Sequence, residues 1–264
     1  MPGLDWQPLV LFFDRVFVIT LARASERRAV LAKRLAGLDY TIHYGVDWRQ
    51  LDCAQLEREG YDEQRARQAS RLGRPMQLGQ IACAISHRRV YEEILAAGLR
   101  RALIFEDDVV PRPAQLPLLS AVLDELPPGW DLVYLGCTNF ERVTARDRAR
   151  QAAYLLLSAL QLMKWTPREV LRLHPRPYRP HLKEAGLHHG AYAYGVSAAG
   201  ARKLLAAQRP LAQITDQLFI HLILRGELKA FVAEPRLFAH DDVAARTPAS
   251  SFVNERPCTI YFGT

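Results

Sequence analysis

The sequence predicts an α/β protein with a mostly parallel sheet flanked by helices, interrupted by a basic helical insertion at about residues 142–183. Three observations carry this expectation. Apolar runs of strand length alternate with helix-period segments along the chain, the pattern of strand-helix-strand units. The buried run Ala102 to Glu106 breaks directly into carboxylates, and ligands of open α/β sheets gather at the carboxyl ends of their strands. Finally, 264 residues at 49% hydrophobic composition can bury one substantial core, so a single domain over 1–264 is expected.

Taken in order, Arg15 to Leu21 reads as the first strand. It runs into a helix N-capped by Ser25, with Val30, Leu31 and Leu35 as inner face and Gly37 just past its end. This opening lacks the Gly-x-Gly-x-x-Gly of dinucleotide folds. Thr20 and Leu21 close the strand, and Arg23, Arg27 and Arg28 lie where they either meet a phosphate or serve as ordinary surface cations. Tyr40 to Gly45 reads as the second strand. Asp47, just after it, either bonds a ribose hydroxyl or simply forms a turn. Residues 52–74 are polar, with helical segments and no evident chemistry. A helix then runs from Gln77 to about Ala97 and is closed by Gly98. Ser86-His87 is the polar break in its small, apolar first half; the histidine is either buried on one hydrogen bond or reaches a ligand.

Glu106, Asp107 and Asp108 end the third strand, and Pro111 and Pro113 prevent its ladder from continuing. Three adjacent acids repel one another unless a cation or solvent compensates. Side chains alternate along extended chain, so Glu106 and Asp108 face one way, with Cα atoms roughly 6.5 Å apart, and Asp107 the other. Two such carboxylates can converge on one Mn²⁺ or Mg²⁺, whose shell phosphate oxygens commonly complete. A diphosphate substrate is the expectation, against a solvated acidic turn.

Leu116 to Leu126 is a further helix, stopped by Pro127-Pro128-Gly129, and Trp130 to Gly136 is another buried strand. Between Arg142 and Lys183, ten Arg/Lys face two acids, so this segment carries +8 and the remainder of the +7 chain is near neutral. Nucleic acid is therefore an improbable partner. Ala152 to Met163 is apolar but too short to span a bilayer. Thr166-Pro167-Arg168-Glu169 signals a new helix, and Pro175, Pro177 and Pro180 an extended basic loop. Leucines interleaved with Arg and Lys suit either an interfacial helix on anionic lipid or an insertion packed on the sheet.

His188 to Val196 returns to a strand, Ser197 caps a helix through Leu205, and Thr215-Asp216-Gln217 opens an apolar helix, Leu218 to Leu224. Asp216 stabilises the helix dipole or serves as a general base if the fold brings it opposite the acidic strand end. Leu228 to Ala233 is the last strand, followed by His240-Asp241-Asp242, which offers further metal ligands. The cysteines, Cys53, Cys83, Cys137 and Cys258, form no Cys-x-x-Cys pair, and no basic leader opens the chain, so a cytoplasmic location is expected, peripheral at the inner membrane if the basic segment docks there.

Four stretches, Val16 to Arg28, Leu78 to His87, Leu103 to Val109, and Ala191 to Leu205 followed by Asp216, resemble glycosyltransferase family 25. That family includes bacterial lipooligosaccharide galactosyltransferases and collagen hydroxylysine galactosyltransferases. The resemblance implies a GT-A-like, Rossmann-type fold, a UDP-sugar donor (usually UDP-galactose), a divalent cation such as Mn²⁺ and inversion at the anomeric carbon. It implies that Glu106 and Asp108 meet the metal and diphosphate and that Asp216 is the base. His240 stands where relatives often show Gln, which leaves the third ligand open. Candidate donor contacts are Thr20, Leu21, Arg23, Arg27, Asp47, Ser86, His87, Glu106, Asp107 and Asp108; candidate metal ligands are Glu106, Asp108 and His240. The expected activity is transfer of a hexose to a hydroxyl of a glycan acceptor. Competing readings are a membrane- or nucleic-acid-binding module, an inactive homologue, and a nucleotidyltransferase, which would carry a glycine-rich loop that Leu21 to Arg28 lacks.

Overall fold

A computed structural model of the chain describes residues 4–70, 72–138 and 142–241. In chain order the elements are α1 (Gln7–Phe12), β1 (Arg15–Thr20), α2 (Ser25–Arg34), β2 (Thr41–Tyr44), α3 (Cys53–Arg58), α4 (Glu63–Ala69), α5 (Leu78–Ala96), β3 (Arg101–Glu106), β4 (Val109–Pro111) and α6 (Leu119–Asp124). They continue with β5 (Leu132–Thr138), α7 (Ala145–Ala159), α8 (Pro167–Leu171), β6 (Arg176–Arg179), β7 (Leu182–Glu184), β8 (His189–Ser197), α9 (Ala198–Ala207), α10 (Thr215–Arg225), β9 (Ala230–Ala233) and β10 (Phe238–His240).

Eight strands form one mixed sheet in the order β2-β1-β3-β8-β5-β9-β7-β6. The pairs β2/β1, β1/β3 and β5/β9 are parallel, and β8 is inserted antiparallel between β3 and β5. The period-2 alternation of the central strands divides the core in two. Val16, Val18, Leu103, Phe105, Val133 and Leu135 pack against α1, α2 and α6 on one face. Phe17, Ile104, Leu132 and Tyr134 meet α5, α9 and α10 on the other. Residues of both faces are wholly buried, which is why these strands read as continuous apolar runs.

Several local expectations are corrected. Ser25 is the first residue of α2 rather than its cap; Ala24 holds the cap position and no side chain bonds there. Val30 is exposed, leaving Leu31 and Leu35 as the buried face of that helix. Pro111 does not end the ladder. The chain turns at residues 107–108, and β4 then pairs antiparallel with β10 in a separate two-stranded ribbon. The basic segment is only partly helical: its prolines lie in and beside a hairpin, β6/β7, which pairs through β7 with β9 and extends the main sheet. Pro is tolerated there because β6 is an edge strand. Helix α1, with Pro8 in its first turn and Leu9 buried, was unexpected; its apolar run is too short to show a helical period.

Thr144 and Thr166 open α7 and α8 with reciprocal capping boxes to Asp147 and Glu169. Val170 and Leu173 pack on Ile220 and Leu224 of α10. Five leucines of this segment are exposed, Leu157 and Leu171 together with Leu156 at 63%, Leu160 at 59% and Leu162 at 70% exposure.

Ser197 caps α9 by accepting from the Gly200 N–H at 3.0 Å, and this brings the helix onto the start of β5. A Cβ at Gly200 would lie 2.1 Å from the Asp131 carbonyl oxygen, a backbone atom that cannot swing away. Gly200→Ala is expected to cost about 1–3 kcal/mol of stability, seen as a lower urea midpoint at unchanged slope. A midpoint equal to wild type would show that α9 can ride up without cost.

Candidate active site

The site begins at the carboxyl end of β3. Glu106 pairs with Ile19 in the parallel ladder, which sets the acidic turn beside the end of β1. Asp107 is buried and points back into the fold. Its carboxylate accepts from Thr20 Oγ1 at 2.6 Å and meets Arg27 Nη2 at 2.5 Å. Burial raises the Asp107 carboxyl, and Arg27 and the Thr20 hydroxyl oppose that rise. The middle acid is thus a buried latch joining β3 to β1 and α2.

Asp108 lies between a cation and a cavity. Arg27 Nη2 is 3.2 Å from its Oδ2, while Oδ1 is buried with no hydrogen-bond partner among the described residues. Burial first, and then the charge of Glu106, push the Asp108 carboxyl up to about 7, against the pull of Arg27. Glu106 accepts from His87 Nε2 at 3.2 Å. His87 Nδ1 meets the Tyr194 hydroxyl at 2.7 Å, and that hydroxyl meets Tyr91 Oη at 2.8 Å. All three rings are fully buried. One direction uses each donor once: Tyr91 donates to Tyr194, Tyr194 to Nδ1, and Nε2–H to Glu106. The chain orients the Glu106 carboxylate from beneath.

Glu106 and Asp108 line a cavity of about 330 Å³, and Asp216 and His240 line the same cavity with Thr138 and Tyr192. Asp216 arrives in the first turn of α10, where an acid complements the helix dipole. Its Oδ2 accepts from the Gly190 N–H at 3.3 Å and lies 3.5 Å from His189 Nδ1. His240 arrives through the ribbon, where it pairs with Val109, and the Asp241 N–H donates to the Asp108 carbonyl at 2.9 Å. The His240 ring lies 5.2 Å from that of Tyr192. Glu106, Asp108 and His240 share this cavity and offer the oxygen and imidazole donors a divalent cation takes, while the ligand atoms that lie within 4.8 Å of one another among the described residues are those of Cys83, His87 and Glu106.

The other predicted donor contacts are not among the described residues that line this cavity. Arg23 pairs with Asp47 at 2.5 Å, tying the turn after β1 to the turn after β2. Asp47 also caps the short 3-10 turn Trp48–Gln50, accepting from Arg49 N–H. The Leu21 carbonyl accepts from Arg28 Nη1 at 2.5 Å and so closes its own turn. Ser86 is buried: its hydroxyl donates to the Ala82 carbonyl at 2.7 Å and accepts from the Val46 N–H at 2.9 Å. It braces the chain after β2 against α5, and a Cβ at Gly45 would collide with its Oγ at 2.8 Å. His87 is likewise sealed from solvent, so its route to a ligand runs through Glu106. Asp242 lies outside the described residues.

Thr138, Tyr192 and His189 were not anticipated. Thr138 ends a buried strand as Glu106 does, and that position is the one signal the sequence offered. Tyr192 and His189 reach the site only because β8 is inserted between β3 and β5.

The family model "Glycosyltransferase family 25 (LPS biosynthesis protein)" matches residues 13–219. "Probable inactive glycosyltransferase 25 family member 3" of Rattus norvegicus is 30% identical over 261 residues, covering 91% of this chain and 40% of the relative. "Inactive glycosyltransferase 25 family member 3" of Homo sapiens is 30% identical over 255 residues, covering 88% and 38%. "Procollagen galactosyltransferase 1" of Danio rerio is 28% identical over 245 residues, covering 85% and 36%. The chain spans about two fifths of the length of these curated relatives.

Proposed function

The chain belongs to glycosyltransferase family 25, and from that premise we propose that it is an active, metal-dependent, inverting hexosyltransferase. It moves a sugar, galactose first among candidates, from a UDP-sugar to a hydroxyl of a glycan such as lipooligosaccharide. The observation that carries this reading is the convergence of Glu106, Asp108, His240 and Asp216 on one cavity, with Asp108 Oδ1 buried and unpartnered. A purely structural acidic turn has no reason to keep such an oxygen dry.

Glu106, Asp108 and His240 would hold a divalent cation, which when bound neutralises charge developing on the departing UDP. Asp216 takes the proton of the acceptor hydroxyl as that oxygen attacks the anomeric carbon on the face opposite the leaving group. The Gly190 N–H and His189 fix the direction in which the Asp216 carboxylate points. His87 holds Glu106 in one orientation, and Arg27 limits the negative charge beside it.

The discriminating experiment is a release assay with a panel of UDP- and GDP-sugars and Mn²⁺. UDP release confined to UDP-sugars, UDP-galactose foremost, is the expected result. No release and no calorimetric UDP binding would place the chain with the relatives named inactive.

We also assign the basic segment to an anionic membrane surface on which a lipid-linked acceptor would lie. Leu156 and Leu160 are one helical turn apart and exposed, Leu162 follows just beyond, and Arg146, Arg148, Arg150, Lys164 and Arg168 are exposed in the same segment. No helix among the described residues is long and apolar enough to cross a membrane. Flotation with vesicles containing anionic lipid is expected at low salt, and Leu156→Glu with Leu160→Glu is expected to reduce the floated fraction several-fold. Equal flotation of the double variant would remove the assignment.

A further inference from the structure

Cys83 and His87 stand four residues apart on α5, one helical turn, and Glu106 meets them from the end of β3. One ligand atom of each lies within 4.8 Å of those of the other two. Cys83 and Glu106 line the cavity described above, together with Asp108 and Asp216. Cys137, by contrast, packs within the apolar core. Cys83 is therefore a thiol that a solute entering the cavity can reach.

The spacing suits a tetrahedral ion. His87 Nε2 and Glu106 Oε1 are 3.2 Å apart, at the long end for a hydrogen bond and close to the edge of about 3.3 Å that Zn–N and Zn–O bonds of about 2.0–2.1 Å subtend. A metal-bound imidazole commonly donates its other N–H to an oxygen, which fixes the ring. The Tyr194 hydroxyl, 2.7 Å from Nδ1, is placed to accept that proton, and it can donate in turn to Tyr91 Oη at 2.8 Å. This reverses the direction drawn above for an imidazole bonded to Glu106, and hydroxyls allow either direction. Thiolate sulfur selects Zn²⁺ over Mg²⁺ or Mn²⁺, and three protein ligands leave a fourth position open. The Cys83 sulfur also feels the negative charges of Glu106, Asp216 and Asp108. A dication would offset them as the Zn–S bond forms and the thiol proton leaves to solvent.

We infer that Cys83, His87 and Glu106 form a site for a thiophilic divalent cation, Zn²⁺ first, which competes for Glu106 with the hard cation proposed at Asp108 and His240. The thiophilic site stands on side-chain geometry, while the competition rests on the proposed function.

Co²⁺ is the probe, titrated as a spectroscopic stand-in for Zn²⁺ into the full chain after chelator treatment. One equivalent is expected to give a thiolate-to-metal charge-transfer band in the near ultraviolet, which Zn²⁺ then abolishes by displacement. Absence of that band in the wild-type protein overturns the inference. Cys83→Ser is expected to lose the band and to weaken Zn²⁺ about a hundredfold, whereas Cys53→Ser, a change at an exposed thiol, keeps both. Tyr194→Phe, which leaves all three ligands in place, is expected to weaken Zn²⁺ about tenfold. Melting temperatures confirm that each variant is folded. A band that persists in folded Cys83→Ser assigns the sulfur elsewhere and overturns the site. Excess Mn²⁺ is expected to lower the apparent affinity for Zn²⁺, and affinity unmoved by Mn²⁺ overturns the shared use of Glu106. If neither Mn²⁺ nor UDP binds, the transferase reading falls, and the cobalt spectrum still decides the thiophilic site.

Discussion

Asp108→Asn is expected to abolish Mn²⁺-dependent UDP binding and to remove sugar transfer. The change keeps shape and volume and removes the charge of a carboxylate whose buried Oδ1 has no hydrogen-bond partner among the described residues. Its signature is a pH dependence. In the wild-type protein burial and the nearby Glu106 push the Asp108 carboxyl up to about 7 from an unfolded value of 3.8. Between those values the native state holds a proton that the unfolded chain has released, so this group makes stability fall as pH rises through the window. A divalent cation competes with that proton. Mn²⁺ is therefore expected to raise the melting temperature clearly at pH 8 and little at pH 5.5. At a concentration of 100 Kd the stabilisation is about 2.7 kcal/mol. In Asp108→Asn the Mn²⁺ response and its pH dependence should both vanish. An undiminished shift at pH 8 would exclude Asp108 as a ligand.

Asp216→Asn is expected to lower kcat by about 10²–10⁴-fold while leaving the affinity for UDP and Mn²⁺ as it was. The amide oxygen can still accept from the Gly190 N–H, so the first turn of α10 should keep its place. What is lost is the ability to take a proton. Calorimetry with UDP and Mn²⁺ separates this from structural damage, since a base is needed for turnover and not for donor binding. A variant with full kcat would show that another group accepts the acceptor's proton. The two substitutions together divide the cavity into a donor side, reached through binding, and a proton-accepting side, reached through rate.

The central strands were legible because they are buried on both faces and carry unbroken apolar runs, as Phe17, Ile104 and Tyr134 show. What escaped was pairing decided at long range. Nothing in Val109-Val110-Pro111 announces a strand until Phe238-Ala239-His240 lies opposite it, and proline argued against one. The hairpin β6/β7 was hidden by its charges and prolines in the same way. Among site residues, the acids at 106–108 and Asp216 were visible as charge at the ends of apolar elements. Their neighbours Thr138 and Tyr192 are ordinary strand residues made relevant only by the insertion of β8. Alternation along the chain turned Asp107 away from its two neighbours, but it could not say that Thr20 and Arg27 would be waiting on the far side.

The ribbon that carries His240 opposite Val109 has a consequence for how ion preference could change. The offset between the imidazole and the Asp108 carboxylate is fixed by one rung of backbone hydrogen bonds, with wholly buried Phe238 packed beneath it against Phe105. Deleting or adding a single residue between Arg236 and His240 would turn the imidazole to the opposite face of the strand. If the proposed cation is held there, a change of ion preference is expected from swapping the side chain at 240 and not from sliding it, because sliding would dismantle the hydrophobic anchor formed by Phe238 and Phe105 first.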